Sequence, residues 1–447
     1  MQEVTLIQML EARESRALEQ QRLLEECKRP IICFTMNIPG PMKDSPLIRR
    51  AFSCGCAALN HRLPKGQVLH SASRCAVTGC EAMYAVDMDP LSLKKLCTAI
   101  EDETALGRLF DMDVLDAQGN KLDRTLVGGK SRDCIVCGAA GRGCASRRSH
   151  SVEQLQQAAN QIMTDHFARE DAKRIGIWAV QSLLDEVCTT PKPGLVDRRN
   201  SGSHRDMDIF TFMDSAAALA PYFHRCAETG METAACAPEE TFRRLRAAGF
   251  RAEQEMYAAT KGINTHKGAI FTMGILCGAA GRLWNPEGRW KAAQLFREVS
   301  SMTKRPMEEE LRWGGHDTVG QRLYAQAGIL GVRGEAAQGL PSVEKIGLPA
   351  YRACLERGLD RNTAGAVTLL YLIANVEDTN MISRGGAEGA AAGAAWAAEL
   401  LKDGHQPTPA EIEKLDDRFI DQNLSPGGCA DLLAAVYFVT HLTGESV

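Results

Sequence analysis

From residue 152 onward almost every apolar run in this 447-residue chain repeats with helical spacing, which restricts that part of the chain to an all-α arrangement. The runs span residues 152–167, 172–187, 213–223, 238–260, 268–281, 290–301, 362–374 and 386–401. The sequence before them is mixed. Helical spacing over 6–28 stops at Lys28-Arg29-Pro30, Ile31-Ile-Cys-Phe-Thr-Met36 is a short β-type run, and 47–63 is again helical. Residues 82–86, 107–115 and 134–136 carry further strand signals, so the first part is expected to be α+β. A chain of this length exceeds one ordinary core. The polar segment Ala168-Arg-Glu-Asp171 marks the boundary, giving expected domains at 1–167 and 172–447.

Bulk properties exclude several classes of function. A net charge of −4 argues against nucleic acid or an anionic membrane surface as partner. The most nearly membrane-like run, residues 385–401, is short and carries Glu388 and Glu399. The N-terminus Met-Gln-Glu-Val leads straight into a charged helix, so no signal peptide is expected. With 16 cysteines in a large chain of this kind, the expectation is a cytoplasmic protein with free thiols.

The polar signatures of the helical part lie in turn-rich segments. Thr190-Pro-Lys192-Pro-Gly-Leu-Val-Asp197-Arg198-Arg-Asn-Ser-Gly-Ser-His204-Arg205-Asp206-Met-Asp208 holds too many prolines and glycines for a helix or central strand. Asp197, His204, Asp206 and Asp208 are candidate metal ligands or bases there, and Lys192, Arg198 and Arg205 candidate phosphate partners. Asn264-Thr-His266-Lys267-Gly268 opens an apolar helix and suits an anion at its N-terminus. Gly314-Gly-His-Asp317, Arg333-Gly-Glu-Ala-Ala337, Glu377-Asp-Thr-Asn380, Ser383-Arg384-Gly-Gly386 and Asn423-Leu-Ser-Pro-Gly-Gly-Cys-Ala-Asp431 are expected between helices. Converging on one end of a bundle, they would form a pocket for phosphates and Mg²⁺.

In the N-terminal part, Arg108-Leu-Phe-Asp111-Met-Asp113-Val-Leu sets two carboxylates on one face of a strand, where a cation such as Mg²⁺ relieves their repulsion. The turn Asn37-Ile-Pro-Gly-Pro-Met-Lys43 suits backbone N–H groups and an ammonium facing a phosphate. Gly129-Lys-Ser131 is not a P-loop, because Arg124 stands where its first glycine is required. Cys134-x2-Cys137-x6-Cys144-x5-His150 is close to a four-ligand zinc spacing. The second half lacks the compact pairing of a zinc knuckle, and Arg142, Arg147 and Arg148 interleave with it. A buried or phosphate-facing thiol cluster is the preferred reading over zinc.

The order of these blocks resembles a fusion of two enzyme families. The first part is similar to apo-citrate lyase phosphoribosyl-dephospho-CoA transferase through Arg13-Glu14, Asn37-Ile-Pro-Gly-Pro, Arg108-Leu-Phe-Asp-Met-Asp-Val, Arg132-x-Cys134-x2-Cys137 and the Cys144–His150 tail. The second resembles triphosphoribosyl-dephospho-CoA synthase through the 190–208 and 264–268 segments, Gly334-Glu-Ala-Ala, Ser383-Arg-Gly-Gly and Leu424-Ser-Pro-Gly-Gly-x-Ala-Asp431. The resemblance implies a nucleotidyltransferase-like N-terminal domain followed by an all-α domain. It implies that the C-terminal domain joins ATP to 3′-dephospho-CoA with release of adenine, Asp206 or Asp208 orienting the attacking hydroxyl. Asp197 and Asp206 would be ligands for Mg²⁺, and Asn264, Lys192, Lys267, Arg198 and Arg384 would bind the nucleotide. His204 or His266 would act as acid toward adenine. The N-terminal domain would then transfer the group to a serine of the citrate lyase acyl carrier (gamma) subunit with release of pyrophosphate. Asp111 and Asp113 would be its metal ligands there, and Lys43, Arg108 and Arg132 its phosphate partners. Two alternatives remain, a prosthetic-group pathway for a malonate decarboxylase and a non-catalytic nucleotide or CoA sensor.

Overall fold

The computed structural model describes residues 2–139, 144, 147–313 and 331–444. The Gly314-Gly-His-Asp317 block and Arg142 lie outside them. The chain divides into two compact units, Met1–Ala168 and Arg169–Val447.

The first unit is a mixed helix-and-sheet fold. Strands β1 (Ile31–Met36), β2 (Val68–Ala76), β3 (Gly79–Val86) and β4 (Phe110–Leu115) form one antiparallel sheet in the order β2-β3-β1-β4. The helix Leu6–Cys27 starts at a capping box between Thr5 and Gln8. Its Leu23 packs with Ile31, Cys33, Met83 and Ala85 on one sheet face. On the opposite face Phe34 stacks on Phe52 at 4.9 Å and meets Phe110 edge-on at 5.3 Å. Each such pair contributes about 0.5–1.5 kcal/mol beyond its buried area. The helices Pro46–Arg62 and Pro90–Glu103 begin at Ser45 and Asp89 caps with proline in the first turn. The second of these closes the free edge of β4. Lys94 Nζ donates to Met112 O at 3.0 Å and Glu101 Oε1 accepts from Met112 N at 2.8 Å, both side chains being buried.

Three sequence expectations change in this unit. The 134–136 run is a turn, closed by Gly138 N donating to Cys134 O and Cys134 N to Ala139 O. The strand expected over 107–115 begins only at Phe110, after a 3₁₀ turn at Leu106–Leu109. Cys75 and Cys80 are not free thiols; as directly facing residues of β2 and β3 they are joined in a disulfide. Strand β2 itself carried no apolar alternation, because it is an edge strand exposed along most of its length.

The second unit is helical. The helices Lys267–Arg282, Arg361–Asn375 and Gly427–Thr443 are buried nearly all round and form its centre. Around them run Ile209–Ala218, Ala220–Glu232, Pro238–Ala259, Ala292–Trp313, Leu348–Glu356, Thr379–Leu400 and Pro409–Asp421. The helices Ala220–Glu232 and Lys267–Arg282 approach so closely that a Cβ on Gly230 would sit 2.1 Å from Gly278 O, and one on Gly281 2.1 Å from Ala227 O. No break occurs at 168–171. One helix, Val152–Cys188, continues through it, because Ala, Arg and Glu are good helix formers. Asp171 is buried there with its carboxylate held by Arg174 at 2.5 Å and Trp284 Nε1 at 2.8 Å. Two blocks expected between helices lie within them. Arg333-Gly-Glu-Ala-Ala337 falls in Gly331–Ala337, and Ser383-Arg-Gly-Gly386 in Thr379–Leu400, which kinks at Gly386 (φ 70°, ψ 178°).

Candidate functional site

The segment 190–208 is held by side chains that have no freedom to do anything else. Asp197 is buried, and its carboxylate accepts from the backbone N–H of Lys192 (2.9 Å), Arg199 (2.7 Å) and Asn200 (3.1 Å). It organises the loop and does not face the cavity, which removes it from the expected metal ligands. Arg198 turns to Asn362 Oδ1 at 2.8 Å, away from the phosphate role expected of it. Asp208 is the N-cap of Ile209–Ala218 in a capping box with Thr211, and those hydrogen bonds hold its carboxyl below the usual range. It is a helix cap, not a catalytic carboxylate. A residue absent from the sequence expectations completes the loop. The fully buried Asp416 accepts from Gly194 N (2.9 Å), Arg199 Nη1 (2.6 Å) and Asn200 Nδ2 (2.8 Å). Its signal was an acid on the apolar stripe Ile412, Leu415, Phe419.

The other C-terminal candidates, Lys192, His204, Asp206, Asn264, His266, Lys267 and Arg384, line one cavity of ≈ 1690 Å³. That exceeds the roughly 300–1,000 Å³ of a typical single-ligand pocket. Lys192 is buried and its ammonium pairs with Glu186, a buried acid in the last turn of Val152–Cys188. Burial pushes the Glu186 carboxyl up, against the pull of Lys192. Asp431, in the first turns of Gly427–Thr443, makes no hydrogen bond among the described residues. Burial first, then the charges of Glu186 and Asp378, push its carboxyl well up. Asp378 bridges two helix N-termini, accepting from Asn380 N (2.8 Å) and Met381 N (3.1 Å) of its own helix and from Cys429 N (2.8 Å) of the next. All three carboxylates line the cavity, with Glu186 and Asp378 close enough for their charges to act on Asp431. Of these only Asp378 and Asp431 stood in polar blocks; Glu186 sits between Leu183 and Val187, where its charge in an apolar stripe was the overlooked sign.

His266 lines the same cavity. Thr265 Oγ1 donates to Ser215 Oγ at 2.8 Å, and Ser215 Oγ shares a hydrogen bond of 2.7 Å with His266 Nδ1. His266 Nε2 is buried with no hydrogen-bond partner among the described residues. Burial, aided by the Lys192 charge, pushes this imidazole down to about 3. His204 is also lowered, by burial and then by Arg384, and it contacts Ser425 Oγ at 2.9 Å. Burial thus favours the neutral form of both rings, and a neutral imidazole can still donate a hydrogen bond. Arg384 is fixed by Ser203 O (2.5 Å) and Asn423 Oδ1 (3.0 Å). Lys267 pairs with Glu253 at 2.9 Å.

In the N-terminal unit Asp111 and Asp113 share one face of β4, while Phe110, Met112 and Val114 are buried on the other. Burial and then the Asp113 charge push the Asp111 carboxyl up. Lys121 pairs with Asp113 at 2.5 Å. The sheet register places Arg74, Glu81, Thr35 and Asp111 in one cross-strand row, and Arg16 reaches Glu81 at 2.7 Å. Lys121, Arg16 and Glu81 were not expected, since register is invisible in a single strand's sequence. Three expected phosphate partners are otherwise engaged. Lys43 donates to Ile38 O within its own turn, Arg108 donates to Asp133 O, and Arg132 pairs with the buried Glu101 at 2.5 Å.

Residues 172–446 match the family ATP:dephospho-CoA triphosphoribosyl transferase, and residues 4–166 match apo-citrate lyase phosphoribosyl-dephospho-CoA transferase. "Protein CitXG" of Haemophilus influenzae is 33% identical, the alignment covering 99% of this chain and 97% of that one. "Protein CitXG" of Leuconostoc mesenteroides subsp. cremoris is 32% identical over 99% and 98%. A 2-(5″-triphosphoribosyl)-3′-dephosphocoenzyme-A synthase of Pectobacterium atrosepticum is 40% identical over 64% of this chain and 94% of its own. A solved structure from Archaeoglobus fulgidus, 20% identical, covers 52% of this chain and 98% of its own at a TM-score of 0.33. Matched by both family models and along almost its whole length by fused relatives, the chain belongs to the two-part transferase family that combines a triphosphoribosyl-dephospho-CoA synthase with an apo-citrate lyase transferase.

Proposed function

We propose that the cavity of the second unit joins ATP to 3′-dephospho-CoA and that the Asp111–Asp113 face of the first unit passes the product to a protein. In the first reaction the 2′-hydroxyl of dephospho-CoA attacks C1′ of the ATP ribose and the bond from C1′ to adenine breaks. The hydroxyl proton leaves with adenine, and 2′-(5″-triphosphoribosyl)-3′-dephospho-CoA remains. The observation that carries this reading is one cavity large enough for two nucleotides, lined by the acids Glu186, Asp378 and Asp431 together with the cations Lys192, Lys267 and Arg384.

Asp431 and Glu186 fit Mg²⁺. They are hard oxygen donors whose carboxyls are pushed up by burial, and a cation relieves that cost. Bound there, Mg²⁺ would neutralise charge on the triphosphate. Lys192, Lys267 and Arg384 bind phosphate oxygens, Asn264 helps to order the helix mouth beside Lys267, and the His266 Nε2–H donates to a substrate acceptor. Asp206 lines the cavity with its carboxylate in no hydrogen bond among the described residues, so it is available to orient the 2′-hydroxyl and to face the positive charge at C1′.

In the second reaction a serine Oγ of the citrate lyase acyl carrier subunit attacks the α-phosphate, and the bond to the β-phosphate breaks with loss of pyrophosphate. Asp111 and Asp113, two hard oxygen donors on one face of β4, fit Mg²⁺, and Lys121 and Arg132 lie close enough to favour the ionised Asp111. We read this antiparallel sheet with paired acids on an edge strand as nucleotidyltransferase-like. No helix of the described residues is long and apolar enough to cross a membrane, and the nucleotide substrates fit a cytoplasmic setting.

The test is a pair of variants in the full chain. Asp431→Asn should abolish adenine release from ATP and dephospho-CoA yet still load the acyl carrier subunit when supplied with the triphosphoribosyl intermediate. Asp111→Asn should do the reverse, with loading read as intact mass. Loss of both activities in each variant would sink the division of labour, and retained adenine release in Asp431→Asn would sink the site.

A further inference from the structure

Outside both sites, four side chains of one short segment meet. One ligand atom from each of Cys134, Cys137, Cys144 and His150 lies within 4.8 Å of the other three. Cys137 Sγ is 3.4 Å from Cys144 Sγ and 3.3 Å from His150 Nε2. A tetrahedral Zn²⁺ with sulfur at about 2.3 Å and nitrogen at about 2.0 Å sets its ligand atoms about 3.5–3.8 Å apart. The observed contacts differ from that edge by only tenths of an ångström.

The backbone is also built for it. Residues 134–137 form a tight turn in which Gly138 N donates to Cys134 O at 3.0 Å, and Gly138 takes the left-handed conformation at φ 71° that a side chain would strain. The turn sets both sulfurs on one side, and Val136 N points at Cys134 Sγ from 3.5 Å. Amide donors of this kind orient a metal-bound thiolate and offset its charge.

We propose that Cys134, Cys137, Cys144 and His150 bind a structural Zn²⁺. Four protein ligands leave no open position, so the ion has no place for a substrate and its role is to fix the segment. That segment carries Arg132, paired with Glu101, and Asp133, whose carbonyl receives Arg108. Zinc would therefore hold two cations beside the Asp111 strand that a loop without a core could not hold alone.

The full chain, purified without added metal or chelator, should contain about one zinc per chain by elemental analysis. Cobalt exchanged into it should give the absorption of a tetrahedral thiolate site. Cys137→Ser and His150→Ala should each lose the bound metal, whereas Cys188→Ser should keep it. Competition between wild-type protein and a chromophoric chelator gives affinity without any variant, and binding weaker than roughly micromolar would overturn the proposal. So would a Cys137–Cys144 disulfide found by alkylation and intact mass, or zinc retained in Cys137→Ser. Every readout is metal content or spectrum, so the result stands apart from either activity.

Discussion

Gly268→Ala separates the packing of the C-terminal site from its chemistry. Gly268 lies at the start of the helix Lys267–Arg282 and faces Asp431. A Cβ there would sit 2.0 Å from Asp431 Oδ2, where ordinary contact begins at 3.4 Å, so the carboxylate must retreat by more than an ångström. Retreat is cheap in stability, because the obstacle is the end of a side chain and not backbone. Alanine also gains up to about 1 kcal/mol of helix propensity over glycine. Catalysis has no such tolerance: displacement of a positioned group by about 1 Å costs on the order of 100-fold in rate. The expectation is a protein at least as resistant to urea as the parent, with adenine release down about 100-fold and a raised Mg²⁺ requirement. Adenine is followed chromatographically from ATP and dephospho-CoA across a Mg²⁺ series, with Asp431→Asn as the reference for a lost carboxylate. A Gly268→Ala protein that is folded and fully active would refute the placement of Asp431 in the reaction. Transfer of a supplied intermediate to the acyl carrier subunit should be unchanged.

Three further outcomes follow from the same geometry. His266 is depressed to about 3 when folded, below about 6.5 in an unfolded chain, so its contribution to stability is intact above pH 6.5 and is lost as pH falls toward 3. By pH 5 that loss is about 2 kcal/mol, and His266→Gln should remove it from the pH dependence of urea unfolding. Tryptophan fluorescence reads the right unit, because Trp178, Trp284, Trp290, Trp313 and Trp396 all lie beyond residue 168; identical pH profiles for parent and variant would contradict the buried neutral ring. Asp197→Ala leaves three backbone N–H groups without their acceptor and should lower stability by at least about 2 kcal/mol, and an unchanged urea midpoint would restore a ligand role for Asp197. Asp113→Asn should slow loading of the acyl carrier subunit by about 100-fold while adenine release stays at the parental rate, and equal losses in both would show that the variant acts through folding.

The sequence marked the right neighbourhoods more often than the right atoms. Lys192, His204, Asp206, His266, Lys267 and Arg384 stood in polar blocks that do converge on one cavity. Asp197 and Asp208 stood in the same block and are consumed by backbone N–H groups, a distinction that residue type cannot reveal. Glu186 and Asp416 looked like ordinary helix positions, since a charge inside an apolar stripe gains meaning only when the fold turns Lys192 back onto the one and brings the 190–208 loop to the other.

Helical period from 152 onward, the strand at 31–36, a strand within 107–115, and the two-residue spacing of Asp111 and Asp113 are local properties, and the amino-acid order by itself determined them. The antiparallel register that sets Arg74, Glu81 and Asp111 in one row was decided only by tertiary structure, as was the approach of Glu186 and Asp378 to Asp431. The physical reason is that periodicity is written in neighbours three or four residues apart. Burial of a charge, and the partner that makes it tolerable, depend on how the chain folds back on itself, in the case of Asp416 from more than 200 positions away.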